Sequence, residues 1–260
     1  MKHRIQLVML DLDGTLYWKG QMIPGALEAV QGLRDAGYRT AFLTNTDSVP
    51  PEAVQERLVK RGIEVRLDEI ISPPVAVQRY LDSHPGMVSH FLVSESLKPM
   101  FAEYPQSDQQ ADVVVVGDMG GKVTYRDLNT AFRLLHRGAE LLALNKGRTI
   151  DKKDGPHLDT GPFVALLEFA SRKTARVMGK PAVEYMESAL QQFHVQAEEC
   201  VMVGDDLEID IQGAHNIGCR GVLVKTGSFH PDTLEASTLK PDAVIDSVAS
   251  ILTWLQEQQS

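Results

Sequence analysis

Cysteine is scarce in this sequence. Cys200 and Cys219 are the only two. They are too few for a disulfide framework and have no metal-site spacing, so both are expected to be reduced and buried. Long apolar runs are missing as well, and none approaches a membrane span. Positive charge is in deficit: 26 Lys and Arg stand against 35 Asp and Glu, a formal net charge of −9. That argues against the basic stripe of a nucleic-acid binder. It leaves room for a small anionic substrate, because a local cluster of cations can dominate a pocket. Met1-Lys2-His3-Arg4 runs straight into the first apolar stretch with no signal-peptide architecture. A soluble, cytoplasmic protein is expected.

What is present is an alternation of strands and helices. Leu7-Val8-Met9-Leu10 is a near-continuous apolar run, the mark of a strand buried on both faces in a parallel sheet. Further strands are expected at Tyr38–Leu43, Glu69–Ser72, Arg176–Met178, Cys200–Val203, Gly221–Val224 and near Ala243–Ile245, with helices between. His84-Pro85-Gly86 reads as a boundary. Beyond it the pattern restarts, with strands at His90–Ser94, Asp112–Val116 and Leu141–Leu144, a polar loop over Thr149–Gly161, and a helix from Pro162 to Ala170. The fold class is therefore α/β, a doubly wound parallel sheet carrying a smaller inserted α/β domain. The expected division is 1–83 core, 84–174 inserted domain and 175–260 core again.

Four expected core strands end in unlike polar residues: Asp11 and Asp13, Thr44, Lys180 and Asp205. In a parallel sheet all four ends would lie on one edge, where ligands of open α/β sheets bind. Clustered carboxylates repel unless a cation intervenes, and an all-oxygen site suits Mg²⁺. Mg²⁺ and Lys180 together could neutralise a phosphate dianion and the charge that develops on it. Thr44 could hydrogen-bond a phosphoryl oxygen. One aspartate remains as a nucleophile, and the other, two residues away, can move the proton of the leaving oxygen and of water. The chemistry that fits is phosphoryl transfer.

The order of these signals resembles the haloacid dehalogenase (HAD) superfamily. Asp11-Leu12-Asp13-Gly14-Thr15 looks like its first motif, Thr44-Asn45 its second, Lys180 its third, and Gly204-Asp205-Asp206 with Asp210 its fourth. The insertion is similar to the type-two cap of the NagD-like branch. Asn129–Leu135, Lys153-Asp154-Gly155, Gly161-Pro162-Phe163 and Val224-Lys225-Thr226-Gly227 bring the chain close to the HAD-like hydrolase domain-containing proteins. The resemblance implies a Rossmann-like core and a Mg²⁺-dependent phosphatase acting on a small phosphorylated metabolite through an aspartyl-phosphate. It implies Asp11 as nucleophile, Asp13 as acid/base, and Thr44, Asn45 and Lys180 as substrate-binding residues. It further implies Mg²⁺ on Asp11, the backbone carbonyl of Asp13, and Asp205, with Asp210 orienting a metal-bound water, and a homodimer formed through the cap. Asp206 departs from the branch, and so does Asn145-Lys146-Gly147, which lacks the carboxylate that many such caps carry there.

Rival readings are a phosphotransferase or phosphomutase, a phospho-acceptor receiver module, and a non-catalytic protein that binds a phosphorylated ligand. A receiver is about half this length, and the complete polar set argues against a mere binder. In the inserted domain Lys146, Arg148, Lys152, Lys153 and His157 are candidate contacts for the organic part of a substrate. Tyr17 and Trp18 are read as packing residues or loop anchors, and Asp118 as a loop aspartate.

Overall fold

The computed structural model describes residues 4–152 and 154–259 and divides into two compact units. The first comprises the chain up to Thr44, Val54–Ile71, and the chain from Lys180 onward. Its six-stranded sheet is parallel throughout, in the order Ala243–Ile245, Arg220–Val224, Cys200–Gly204, Leu7–Asp11, Arg39–Leu43, Ile70–Ile71. Every residue of Leu7–Asp11 and Cys200–Gly204 is buried, as expected of central strands covered on both faces.

The second unit comprises Asn45–Ala53 and Ser72–Gly179. Its sheet has four parallel strands, in the order Arg176–Val177, Glu140–Ala143, Val113–Val116, Ser89–Leu92. The four consecutive valines 113–116 alternate between two apolar clusters, one packed by the helices Tyr125–His136 and Thr160–Ser171, the other by Pro73–Asp82. This alternation is the two-residue period of a strand buried on both faces.

These divisions differ from those expected at 84 and 175. The helix Pro73–Asp82 buries Val77, Tyr80 and Leu81 against Val113, Val115 and Leu142, so it packs with the second unit. Arg176–Val177 pairs with Leu142 and Ala143 and so extends the second sheet, not the first. Lys180 therefore does not follow a strand of the six-stranded sheet. The expected polar loop after Thr149 contains an antiparallel hairpin, Thr149–Lys152 with Gly155–Leu158. Among the described residues no helix is long and apolar enough to cross a membrane. Lys153 lies outside the described residues, as does the side chain of Lys152.

Candidate active site

Strand register sets the site in the first unit. Asp11 pairs with Leu43, and Leu10 with Val203, so Asp11, Thr44 and Asp205 stand at neighbouring strand ends on one edge. Three of the four expected strand ends thus meet through the sheet itself. Lys180 reaches them from the segment that begins the next helical connection. Its Nζ donates to Asp11 Oδ1 at 2.5 Å, to Asp210 Oδ1 at 2.7 Å and to the carbonyl of Leu43 at 3.5 Å. All four charged groups are buried, Asp11 being 7% exposed, Lys180 and Asp205 4% each, and Asp210 1%.

One ammonium cannot neutralise three buried carboxylates. Burial pushes Asp11, Asp205 and Asp210 up to about 7, with Lys180 pulling Asp11 and Asp210 back and the neighbouring carboxylates adding to the rise. Burial alone would lower Lys180, but Asp11 and Asp210 hold it protonated, well above the ordinary lysine range. The cluster therefore carries an unmet demand for positive charge.

Each carboxylate is held differently. Asp210 has both oxygens engaged, Oδ1 by Lys180 and Oδ2 by the amide of Asp206 at 3.1 Å. Asp206 caps the turn that follows, its Oδ1 accepting from the amides of Glu208 (2.8 Å) and Ile209 (2.9 Å). That gives this departure from the family pattern a structural role. Asp205 Oδ2 accepts from the amide of Ser228 at 2.5 Å, and Thr226 Oγ1 donates to the carbonyl of Gly14 at 2.5 Å. Gly14 and Gly227 have positive φ, and a Cβ on either would lie 2.0 or 2.1 Å from Asp205 Oδ2. Only glycine lets these two turns close on that carboxylate. Asp11 Oδ2, in contrast, is buried with no hydrogen-bond partner.

Carboxylate oxygens of Asp11, Asp205 and Asp210 lie within 4.8 Å of one another, an arrangement that could hold a metal ion. An all-carboxylate set with one orphaned oxygen and excess negative charge fits a hard divalent cation such as Mg²⁺.

The remaining expected residues are placed as follows. Asp13 is exposed, and its Oδ2 accepts from the Tyr17 hydroxyl at 3.4 Å. Thr44 is buried, with its carbonyl 2.8 Å from the Tyr185 hydroxyl, which also lies 2.7 Å from the carbonyl of Ile71. Asn45 belongs to the second unit, where a Cβ on Gly179 would lie 2.8 Å from its Oδ1. In that unit His157 meets Asp154 at 2.9 Å, Lys146 is ion-paired with Glu168 at 2.9 Å, and Arg148 is exposed. Asp118 lies in a turn, its Oδ1 accepting from the amide of Gly120 at 2.7 Å. Sequence reasoning missed the hydroxyls of Tyr17 and Tyr185. The signal for Tyr185 was available: it is a polar-tipped residue between Val183 and Met186 on an apolar helix, and that helix buries Tyr185 and Met186 while leaving Val183 exposed.

Residues 8–129 match the family model described as haloacid dehalogenase-like hydrolase, and residues 177–251 match a second, described as HAD-hydrolase-like. Haloacid dehalogenase-like hydrolase domain-containing protein 2 of Mus musculus is 38% identical over 228 residues, 88% of this chain and 87% of that protein. The phospholysine phosphohistidine inorganic pyrophosphate phosphatase of Xenopus laevis is 32% identical over 98% of this chain and 96% of its own length. Among solved structures, the p-nitrophenyl phosphatase from Archaeoglobus fulgidus superposes with a TM-score of 0.89 at 27% identity, covering 96% of this chain and 99% of that one. NagD from Escherichia coli K-12 superposes with a TM-score of 0.86 at 25% identity, covering 95% of this chain and 98% of that one.

Proposed function

Because the chain belongs to the haloacid dehalogenase-like hydrolases, in their NagD-like branch, we propose that it is a Mg²⁺-dependent phosphatase of small phosphorylated metabolites. The observation that carries this reading is the buried Asp11 carboxylate, tied to Lys180 through one oxygen and unpartnered at the other. Asp11 and Asp205, with the backbone carbonyl of Asp13, would hold the ion. Asp210, whose oxygens are already engaged, would act one step further out. When bound, Mg²⁺ would offset the charge of the substrate phosphate beside these carboxylates.

In this reading Asp11 attacks phosphorus while the ester P–O bond breaks. The leaving oxygen takes its proton from Asp13. Water then attacks the phosphorus of the aspartyl-phosphate and gives its proton to Asp13, and the P–O bond to Asp11 breaks to restore the carboxylate. Lys180, permanently charged, orients Asp11 and meets the negative charge on the phosphoryl oxygens. Thr44 and Asn45 would bind those oxygens. The enzyme would work in the cytoplasm, and two copies would pair through the second unit. The exposed Tyr125, Leu166 and Phe169 support that pairing, and sedimentation velocity tests it.

The direct test is hydrolysis of p-nitrophenyl phosphate by protein stripped with EDTA and then reloaded. Turnover should vanish on stripping and return with Mg²⁺. Undiminished turnover in the stripped protein would overturn the mechanism.

A further inference from the structure

Asp13 would have to serve as acid in one half of the reaction and base in the other, which requires its carboxyl to hold one orientation. Yet it is an exposed side chain just past a strand end, with a choice of partners. Arg57, Lys180 and Arg61 all attract it. The residue that meets it is Tyr17, and Tyr17 is itself fixed. Its carbonyl accepts from the amide of Gly14 at 2.7 Å, its amide donates to Leu12 O at 3.2 Å, and its backbone bridges to that of Asp13. The side chain is buried, and the Arg61 guanidinium lies 4.7 Å from its ring centroid. Arg61 is anchored in turn, Nη1 donating to the carbonyl of Arg57 at 2.9 Å.

We propose that Tyr17 is a positioning residue for the acid/base step, its hydroxyl engaging Asp13 Oδ2 so that Oδ1 is the oxygen presented to the leaving group and then to water. This rests on the phosphatase reading above. The geometry serves both half-reactions. With the proton on Oδ1, Oδ2 is the carbonyl oxygen and still accepts from the phenol. After Oδ1 gives up that proton, Oδ2 of the carboxylate accepts from the same phenol. An ordinary phenol, with a pKa of about 10, stays protonated at neutral pH. A merely packed aromatic would need no hydroxyl at this place, since the ring and Arg61 supply the packing.

The test compares Tyr17→Phe with the parent on an alkyl phosphate and on p-nitrophenyl phosphate, whose leaving group departs without a proton. General acid catalysis is worth about 10²–10⁴-fold, so partial loss of orientation should lower kcat/KM for the alkyl ester about tenfold. The p-nitrophenyl ester should change less than about twofold, and inhibition by inorganic phosphate should stay the same. Arg61→Gln, which frees the ring, should move the same ratio in the same direction while thermal melting confirms folding. Equal losses on both esters, or no change on either, would overturn the assignment of Tyr17. Asp13→Asn, run in parallel, separates this from failure of the underlying reading. If Asp13→Asn discriminates between the esters and Tyr17→Phe does not, the positioning role alone is wrong. If Asp13→Asn shows no discrimination, the acid role fails and the inference with it.

Discussion

The two units bury charge in opposite ways. The first gathers Asp11, Asp205 and Asp210 around a single ammonium and leaves one carboxylate oxygen without a partner. The second buries Asp47 and satisfies it: its Oδ2 accepts from the Thr160 hydroxyl at 2.6 Å and from the amide of Asp118 at 3.2 Å. Burial pushes Asp47 up to about 7 as well, with Asp159 and Asp118 adding to the rise and Thr160 opposing it. A shifted carboxylate is thus no mark of chemistry by itself. What separates the two is the remainder. The Asp47 network closes on neutral donors of its own unit, whereas the cluster around Lys180 is left with excess negative charge facing a strand-end edge. Unbalanced buried charge is costly, and it persists most readily where a ligand completes it.

The sharpest way to break this contrast is to remove the ammonium. Lys180→Met should lower kcat/KM for p-nitrophenyl phosphate by at least about 10³-fold and destabilise the fold by about 3–5 kcal/mol at pH 8, because uncompensated charges stay buried. The pH dependence has a definite sign. Folded-state pKa values of about 7 lie above the ordinary 3.8, so the folded state takes up protons as pH falls through 7. The stability deficit should shrink toward pH 5, as read from urea midpoints. Asp11→Asn should remove activity to a similar extent yet cost little stability, since it removes one of the excess negative charges. A large stability loss in Asp11→Asn would mean that the cluster is a structural ion pair like any other.

Asp47→Asn probes the other side with a smaller effect. Asparagine keeps an acceptor for Thr160 and Asp118 but carries no charge. The parent carboxylate, raised to about 7 when folded, costs stability progressively as pH rises from about 4 to 7 and fully above that. The variant should match the parent near pH 4 and exceed it at pH 8 by on the order of 4 kcal/mol, since each tenfold gain in proton affinity on folding is worth about 1.4 kcal/mol and the rise from 3.8 to about 7 spans about three such steps. Turnover of p-nitrophenyl phosphate should stay within about twofold of the parent's. Stability curves that run parallel with pH would show that Asp47 does not carry this cost.

How much of this was legible depended on where each residue sits. Asp11 and Asp205 were legible because long apolar runs announce central strands, and their ends in a parallel sheet share an edge. Lys180 was legible as a residue but not in its context. The strand before it is two residues long, and nothing in Arg176-Val177 says which sheet it joins. The helix Pro73–Asp82 was misplaced for a similar reason: an apolar face fits any apolar sheet, and only packing decides between them. The Thr149–Leu158 hairpin was hidden by its polarity. Its second strand alternates between half-buried and exposed residues, without the apolar face that reveals a strand. The Tyr17 hydroxyl could not be inferred at all, because its contact spans the turn at residues 14–16 and Tyr17 stands on a strand of two residues, too short to show a period.

That hairpin carries the smallest and most specific of the expected effects. A strand-end site offers few contacts to the organic part of a substrate, and an inserted unit can supply them. Arg148 is exposed just before the hairpin, and His157 is half-buried within it, linked to Asp154 at 2.9 Å. Neither is among the residues assigned to the phosphate, so neither should matter to an ester that makes no contact beyond its phosphate. Binding energy from a remote group acts only where contact is made. Arg148→Ala and His157→Ala should therefore reorder kcat/KM across a panel of phosphorylated metabolites by about three- to tenfold, while p-nitrophenyl phosphate shifts less than about twofold. A uniform loss over all substrates would place these residues in the general machinery. A panel left in the same order would move substrate recognition elsewhere in the chain.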